Sequence, residues 1–191
     1  AFAIALVSLI FMFVFGGFFG PLNDFVTAVA ALLSAALAWT LHPAYRERSR
    51  RLAPLALGSA FSGVLVAILG SVFVILGVTG WFFAGLLTTF GFALFGVWLA
   101  SFNHLVLRER TAQRGLVRLG IGAGVLMILG LFVAPGILAR ADSQEAAPWF
   151  VKVGFVGWLG LLLFAVWNIW LGRSLSARRS PAGVAATQDA A

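Results

Sequence analysis

Two histidines stand in nearly identical settings, and their imidazoles are the side chains of this sequence best suited to ligate a metal or a pigment. The motif HPAYRER begins at His42, and the motif HLVLRER begins sixty-two positions later at His104. Each histidine closes a long apolar run and stands four residues before an Arg-Glu-Arg cluster. Imidazole is a proximal ligand of haem iron. One interpretation therefore makes His42 and His104 the ligands of a haem or of a chlorophyll-type pigment.

A second interpretation needs no ligand and is the one that the sequence favours. A histidine in the last turn of a helix meets the negative end of the helix dipole, which favours its protonated form. Tryptophan and tyrosine prefer the headgroup level of a bilayer, and arginines beyond them bind anionic lipids. The predicted lipid-anchoring residues are Trp39, Tyr45, Arg46, Arg48, Trp98, Arg108, Arg110, Trp167, Trp170 and Arg173.

The composition indicates which elements position these residues. Of the 191 residues, 62% are hydrophobic and only 10% are charged, whereas about a quarter of a soluble domain is charged. Six apolar runs are each long enough to cross a hydrocarbon core of about 30 Å as an α-helix. They cover residues 1–19, 25–42, 53–77, 81–105, 119–139 and 149–172, the last with Lys152 near its start. Because these runs lack the alternation of barrel strands, we predict an all-α, polytopic membrane bundle of six transmembrane helices.

Arginine is distributed unequally between the two sides of this predicted bundle. The loop after the second run, the loop after the fourth run and the tail carry 11 of the 13 basic residues, and only Arg140 and Lys152 lie on the other side. The side rich in Lys and Arg is cytoplasmic in membrane proteins. We therefore expect an integral protein of a cell membrane, such as a bacterial inner membrane, with both termini on the cytoplasmic side. The net charge of +7 then indicates contact with anionic lipids and not with nucleic acid.

An internal repeat supports a construction from helical hairpins. Residues 27–48 and 89–110 are identical at nine of 22 aligned positions, among them the histidine and the Arg-Glu-Arg cluster. We predict two or three related hairpins over residues 1–51, 52–118 and 119–179, followed by a disordered cytoplasmic tail, 180–191. Short turns at 20–24 and 77–81 are expected to make their flanking helices antiparallel neighbours.

Small residues recur within the runs at spacings that suit close helix contacts. Gly120 and Gly124 form one such pair, and Gly63, Ala67 and Ser71 form a stripe. Small residues spaced by four let helix backbones approach closely in lipid. We expect these residues to pack the bundle internally more than to join subunits.

The sequence favours a role without catalysis. It contains no cysteine, which excludes thiolate metal sites and cysteine nucleophiles, and its apolar runs carry no hydrolase motif and no paired acids. We therefore expect a structural or accessory subunit of a membrane complex, in contact with other membrane subunits, or a protein that binds a hydrophobic ligand.

The alternative function is transport. Six helices in a chain of this length, with both ends inside, are similar in size and topology to the substrate-binding components of energy-coupling-factor importers, in which a partner supplies the ATPase. That resemblance implies a substrate pocket on the outer face. The residues that would line it are Asn23, Asp24, Trp81, Ser143, Gln144 and Trp149.

Overall fold

The computed structural model describes residues 19–107 and 113–178, except for the side chains of residues 19, 177 and 178. This part of the chain is helical and contains no strand. The elements are α1 (Phe19–Arg48), α2 (Leu52–Ile75), α3 (Trp81–Val106), α4 (Arg114–Ile128), a 3₁₀ helix (Leu129–Val133), α5 (Ala134–Leu138), α6 (Val151–Gly154) and α7 (Gly157–Arg178).

Five segments of the described part are long and apolar enough to cross a membrane. They are Gly20–Arg48, Leu52–Ile75, Trp81–Val106, Arg114–Leu138 and Val151–Ser176. They correspond to the second through sixth predicted runs, which confirms an all-helical chain with several spans of membrane length. The first predicted run, the arginines Arg108 and Arg110 and the tail 180–191 lie outside the described residues.

The expectation of a turn at residues 20–24 was wrong. The structure includes these residues in the first turns of α1, which begins at Phe19 and continues to Arg48. Proline is tolerated in the first turn of a helix because the N–H that it lacks has no intrahelical acceptor there, and Pro21 occupies such a position. Pro43 also lies inside α1, so the helix does not end at His42 as the sequence suggested.

The fourth and fifth spans are locally irregular where the chain contains proline or glycine. Pro135 cannot donate to the carbonyl four residues earlier, and the preceding turn is the tighter 3₁₀ helix Leu129–Val133. The run 149–172 is divided in the structure into α6 and α7. Between them the backbone of Phe155 donates to Lys152 at 3.3 Å and that of Trp158 donates to Phe155 at 3.0 Å, which is the spacing of 3₁₀ turns.

Helices α2 and α3 pack antiparallel, with their backbones in direct contact at glycine. A methyl group added at Gly63 would overlap the carbonyl oxygen of Gly91, and one added at Gly91 would lie 2.6 Å from the amide nitrogen of Ala67. Nearer the α2–α3 turn, the space at Gly70 is limited by the carbonyl of Ala84 at 2.8 Å. The short turn therefore joins antiparallel neighbours, as predicted.

The same kind of contact joins α3 to α4 and α4 to α7. A methyl group at Gly124 would lie 2.8 Å from the carbonyl oxygen of Gly96, and one at Gly160 would lie 2.7 Å from that of Ala123. Gly120 faces the amide group of Asn103 so closely that no side chain fits there. The small residues Gly63, Ala67, Gly120 and Gly124 thus pack the bundle internally, which confirms that expectation.

Large aromatic side chains fill the space between these helices. Trp98 stacks on Phe102 with centroids 5.5 Å apart, and Phe164 stacks on Trp167 at 5.9 Å. Tyr45 meets Phe102 edge to face at 5.8 Å. These five residues belong to one buried cluster that extends through α1, α2, α3, α4 and α7.

This cluster corrects part of the anchoring prediction. Trp98 and Tyr45 are 0% exposed and Trp167 is 1% exposed, so their rings pack against protein and not against lipid. Trp39 and Trp170 are exposed, and for these two lipid anchoring stays a prediction. The reason is the rotation of each helix about its own axis, which places the buried ring on the face that points into the bundle.

The arginine-bearing helix ends of the described part lie together. The ring contact between Tyr45 and Phe102 joins the end of α1 to that of α3. Ser174 donates a hydrogen bond of 3.0 Å to Gln113, which joins the end of α7 to the start of α4. We call this the arginine end; its arginines with described side chains are Arg46, Arg48, Arg50, Arg51, Arg114, Arg118 and Arg173. Arg140 and Lys152 belong to the opposite end.

Substitution of Gly63 by alanine tests the backbone contact between α2 and α3. We expect Gly63→Ala to lower the free energy of unfolding by about 1–3 kcal/mol, the usual cost of overpacking a tight core. Gly58→Ala is the matched control on the same helix, because a methyl group there meets no atom within 4 Å. Unfolding in mild detergent with increasing SDS measures both. Equal stability of the two variants would contradict the contact.

Candidate functional site

A cavity of about 190 Å³ lies at the end of the bundle opposite the arginine end. We call it the end cavity. Its walls come from the start of α1, the start of α3, the loop before α6 and the region around the α6–α7 break. The residues that line it are Asn23, Asp24, Thr27, Trp81, Phe82, Gly85, Thr88, Gln144, Phe155 and Trp158.

The end cavity brings together four of the residues expected to line a substrate pocket, namely Asn23, Asp24, Trp81 and Gln144. Trp149, which belonged to the same expectation, is 75% exposed and does not line the cavity. Ser143 is likewise absent from its walls. That these residues bind a substrate stays a prediction, but they do share one concave surface.

The residues of the inner wall of the cavity were not predicted from the sequence. Thr27, Thr88 and Trp158 lie within apolar helices, and Ser and Thr in such helices usually satisfy themselves on a backbone carbonyl. Thr27 and Thr89 are aligned by the internal repeat, but the threonine that lines the cavity from α3 is Thr88. Helix rotation decides between the two neighbours, and the apolar sequence around them gives no signal of that rotation.

Two polar residues of the wall are mostly buried and have no side-chain hydrogen bond to the part of the chain that the structure describes. Asn23 is 5% exposed and Thr88 is 7% exposed. Within the described part of the chain, neither side chain takes part in a hydrogen bond. Buried polar groups are almost always hydrogen-bonded, to protein or to something else. Both side chains line the end cavity, and the hydroxyl of Thr88 also lies against Gly70 of α2. Asn23 and Thr88 therefore leave an amide and a hydroxyl group at the cavity wall without a hydrogen bond to the described chain.

A short chain of hydrogen bonds fixes one aromatic wall. The indole Nε1 of Trp158 donates to Oγ1 of Thr89 at 2.9 Å, and that hydroxyl donates to the carbonyl of Gly85 at 2.7 Å. Next to it, the rings of Phe82 and Phe155 lie 6.0 Å apart in a tilted contact. The aromatic wall is thus held in place from both α3 and α7 before any ligand arrives.

Asp24 is the one ionisable side chain among the described residues that line the end cavity. It is half-buried. The described part of the chain gives it no ion pair. Arg140 and Lys152 belong to the same end of the bundle, but neither contributes to the wall. The cavity therefore combines a carboxylate, several neutral polar groups and aromatic faces.

Gly85 leaves open space at the wall. A methyl group added there would meet no atom within 4 Å, in contrast to Gly63 or Gly91, where the neighbouring backbone is in contact. Gly85 lies on α3, three residues after Phe82 and three residues before Thr88, which also line the cavity. Its lack of a side chain contributes to the volume of the cavity and not to helix packing.

The two histidines do not share a cavity in the described structure. His42 is half-buried and borders an open cleft at the arginine end together with Pro43, Arg46, Glu47 and Arg50. His104 is exposed and does not border that cleft. The described residues contain no group of three or more His, Cys, Asp or Glu side chains that could hold a metal ion. Ligation of a haem or pigment by His42 and His104 stays a prediction.

Comparison with known proteins gives no relative from which a function could be transferred. No protein-family model matches the chain, and no similar protein was found among the curated proteins or the solved structures. The function must therefore be argued from the geometry of the end cavity.

A double-mutant cycle tests the hydrogen bond that fixes Trp158. Thr89→Val removes the acceptor and leaves the indole N–H without a partner, which we expect to lower the free energy of unfolding by about 1–3 kcal/mol. In a Trp158→Phe background the donor is already gone, so the same substitution should cost much less. Thermal unfolding in detergent measures all four proteins. An equal cost in both backgrounds would show that Thr89 does not hold Trp158.

Proposed function

We propose that this protein is a non-enzymatic integral membrane protein that binds a small, partly apolar ligand in the end cavity. The observation that carries the proposal is the end cavity with two mostly buried polar residues in its wall, Asn23 and Thr88, whose side chains have no hydrogen-bond partner among the described residues. Their polar atoms are not sealed off by protein, so a ligand that accepts from or donates to them takes the place of water.

The size of the cavity limits the ligand. A volume of about 190 Å³ is slightly larger than the roughly 150 Å³ cavity that admits benzene in another protein, and smaller than the roughly 300 Å³ at which pockets for drug-sized molecules begin. The ligand that fits is therefore about the size of a single ring, and a larger molecule would insert only one of its groups.

Binding without catalysis is supported by the charge of the wall. General acid–base chemistry needs groups that give and take protons at the reacting centre. Asp24 is the one such group among the described residues of the wall, so none of the other described lining residues could exchange a proton with it. The wall is equipped to hold and orient a ligand.

The proposed arrangement in the membrane has six spans, two or three related hairpins and both termini in the cytoplasm. Its support is the arginine end: seven arginines with described side chains gather there, against Arg140 and Lys152 at the other end, and positively charged loops remain cytoplasmic. The end cavity then faces the outer side of the membrane, and His42, Arg46 and Arg50 face anionic lipids of the inner leaflet.

A transport role is the second candidate, because the same cavity would capture a solute from the outer side. In that case the protein would be the substrate-binding component of a larger transporter. The discriminating observation is what remains bound after mild extraction, since a transporter component should co-purify with an ATPase and a simple binding protein should not.

The ligand-binding proposal predicts a stabilising compound in a small screen. A panel of cations, anions, alcohols and aromatic compounds, each about the size of benzene, is tested for a shift in the melting temperature of the purified protein. At least one class should stabilise the wild type, because a ligand that binds only the folded state raises its stability. Gly85→Leu fills the cavity and should abolish that shift.

Gly58→Leu is the control for the added side chain, since position 58 also has open space but lies outside the cavity wall. The proposal requires this control to respond to the ligand as the wild type does. A panel in which every compound fails, or in which Gly85→Leu responds as strongly as the wild type, would contradict it.

The orientation is tested with single cysteines, because the chain has none of its own. Ala146→Cys lies in the exposed loop of the cavity end and Ser176→Cys lies at the exposed end of α7. In intact cells a membrane-impermeant maleimide should label position 146, and it should label position 176 only after the membrane is permeabilised. Labelling in the opposite order would invert the proposed topology.

A further inference from the structure

The end cavity has an acidic group and no basic one within the described part of its wall. Asp24 lines the cavity half-buried, and the described chain offers it no ion pair. A carboxylate withdrawn from water is unfavourable unless an opposite charge or several hydrogen bonds compensate it. A cationic ligand supplies that compensation, whereas an anion would be repelled and a neutral molecule would leave the charge unpaired.

The remaining walls favour one kind of cation. Trp81, Phe82, Phe155 and Trp158 present aromatic surface to the cavity, and the faces of such rings attract cations, quaternary ammonium groups in particular. A metal ion instead needs several oxygen ligands to replace its water. The described part of the chain holds no cluster of three acidic or metal-ligating side chains.

We propose that the end cavity binds a small methylated ammonium group, with the carboxylate of Asp24 as its counterion and the rings of Trp81 and Trp158 against its methyl groups. This inference rests on the proposed ligand-binding function and names its ligand class. Tetramethylammonium is about the size of benzene and fits a cavity of about 190 Å³. The same group is carried by small free solutes such as choline and by the headgroup of phosphatidylcholine.

The test compares a cation with a neutral molecule of the same shape. Choline, tetramethylammonium and 3,3-dimethyl-1-butanol, the uncharged analogue of choline, are titrated by calorimetry into protein purified in a maltoside detergent. We expect both cations to bind and the alcohol to bind more weakly by roughly tenfold or more, because it leaves the charge of Asp24 unpaired.

Two pairs of variants identify the groups responsible. Asp24→Asn should weaken binding of the cations by roughly tenfold or more, while Asp142→Asn, the same change at an exposed position outside the wall, should leave it unchanged. Trp81→Leu should weaken binding several-fold through loss of the cation–π contact. Trp149→Leu is its control, because that ring is exposed and does not line the cavity.

The dependence of tetramethylammonium binding on the nanodisc lipid distinguishes a free solute from a lipid headgroup as the natural ligand. In nanodiscs of phosphatidylglycerol, free tetramethylammonium should bind as it does in detergent. Equal affinity in nanodiscs of phosphatidylcholine assigns the site to a free solute. Weaker binding there assigns it to the lipid headgroup, which competes for the same cavity.

Three outcomes overturn the inference and differ in what they leave standing. If the alcohol binds as tightly as choline, or Asp24→Asn leaves cation binding unchanged, the cation inference fails. Loss of that binding in Gly85→Leu would then still support a ligand site in the cavity. If neither cation nor alcohol binds while another compound of the screen does, the ligand class is wrong and the function stands. If no compound binds at all, the proposed function itself fails.

Discussion

Close approach of helix backbones at glycine determines how the helices of this protein pack. Lipid tails are as apolar as leucine, so helices in a bilayer gain little from burying apolar surface and associate through tight packing and hydrogen bonds instead. Gly63 against Gly91 brings α2 to α3, and Gly96 against Gly124 brings α3 to α4. These contacts make α3 the central helix, and its first turns are thereby positioned to form one wall of the end cavity.

Polar side chains in the bundle divide into three groups with different consequences. Ser34 and Asn168 donate to carbonyls one turn earlier on their own helices, at 2.8 Å and 2.9 Å, and so impose nothing on their neighbours. Thr89 instead accepts from Trp158 of another helix at 2.9 Å. The side chains of Asn23 and Thr88 form no hydrogen bond within the described part of the chain. Only these last two groups shape the cavity, the first by fixing its wall and the second by leaving unused hydrogen-bonding groups inside it.

The sequence predicted the helices well and their rotation poorly. Uninterrupted apolar runs are a strong signal, and α2 and α3 begin within a residue of their predicted starts. Because these helices are apolar on every side, the sequence gives no period that distinguishes an inward face from a lipid face. Trp98 and Trp167 were therefore expected at the headgroup level and lie in the core, while Trp39 points outward. Likewise, nothing in the sequence separates Gly63, in backbone contact, from Gly58, in open space.

Asn103 has a consequence for how the helices are aligned along their lengths. Its amide donates to the carbonyl of Leu99 at 2.9 Å, accepts from the indole of Trp167 at 3.2 Å and covers Gly120. Apolar faces tolerate sliding, since a shift of one turn, about 5.4 Å, replaces one set of methyl groups by another. The same shift would separate the buried amide of Asn103 from the indole of Trp167 and would place a side chain where Gly120 now leaves room for that amide. Asn103 therefore fixes the positions of α3, α4 and α7 relative to one another along their axes.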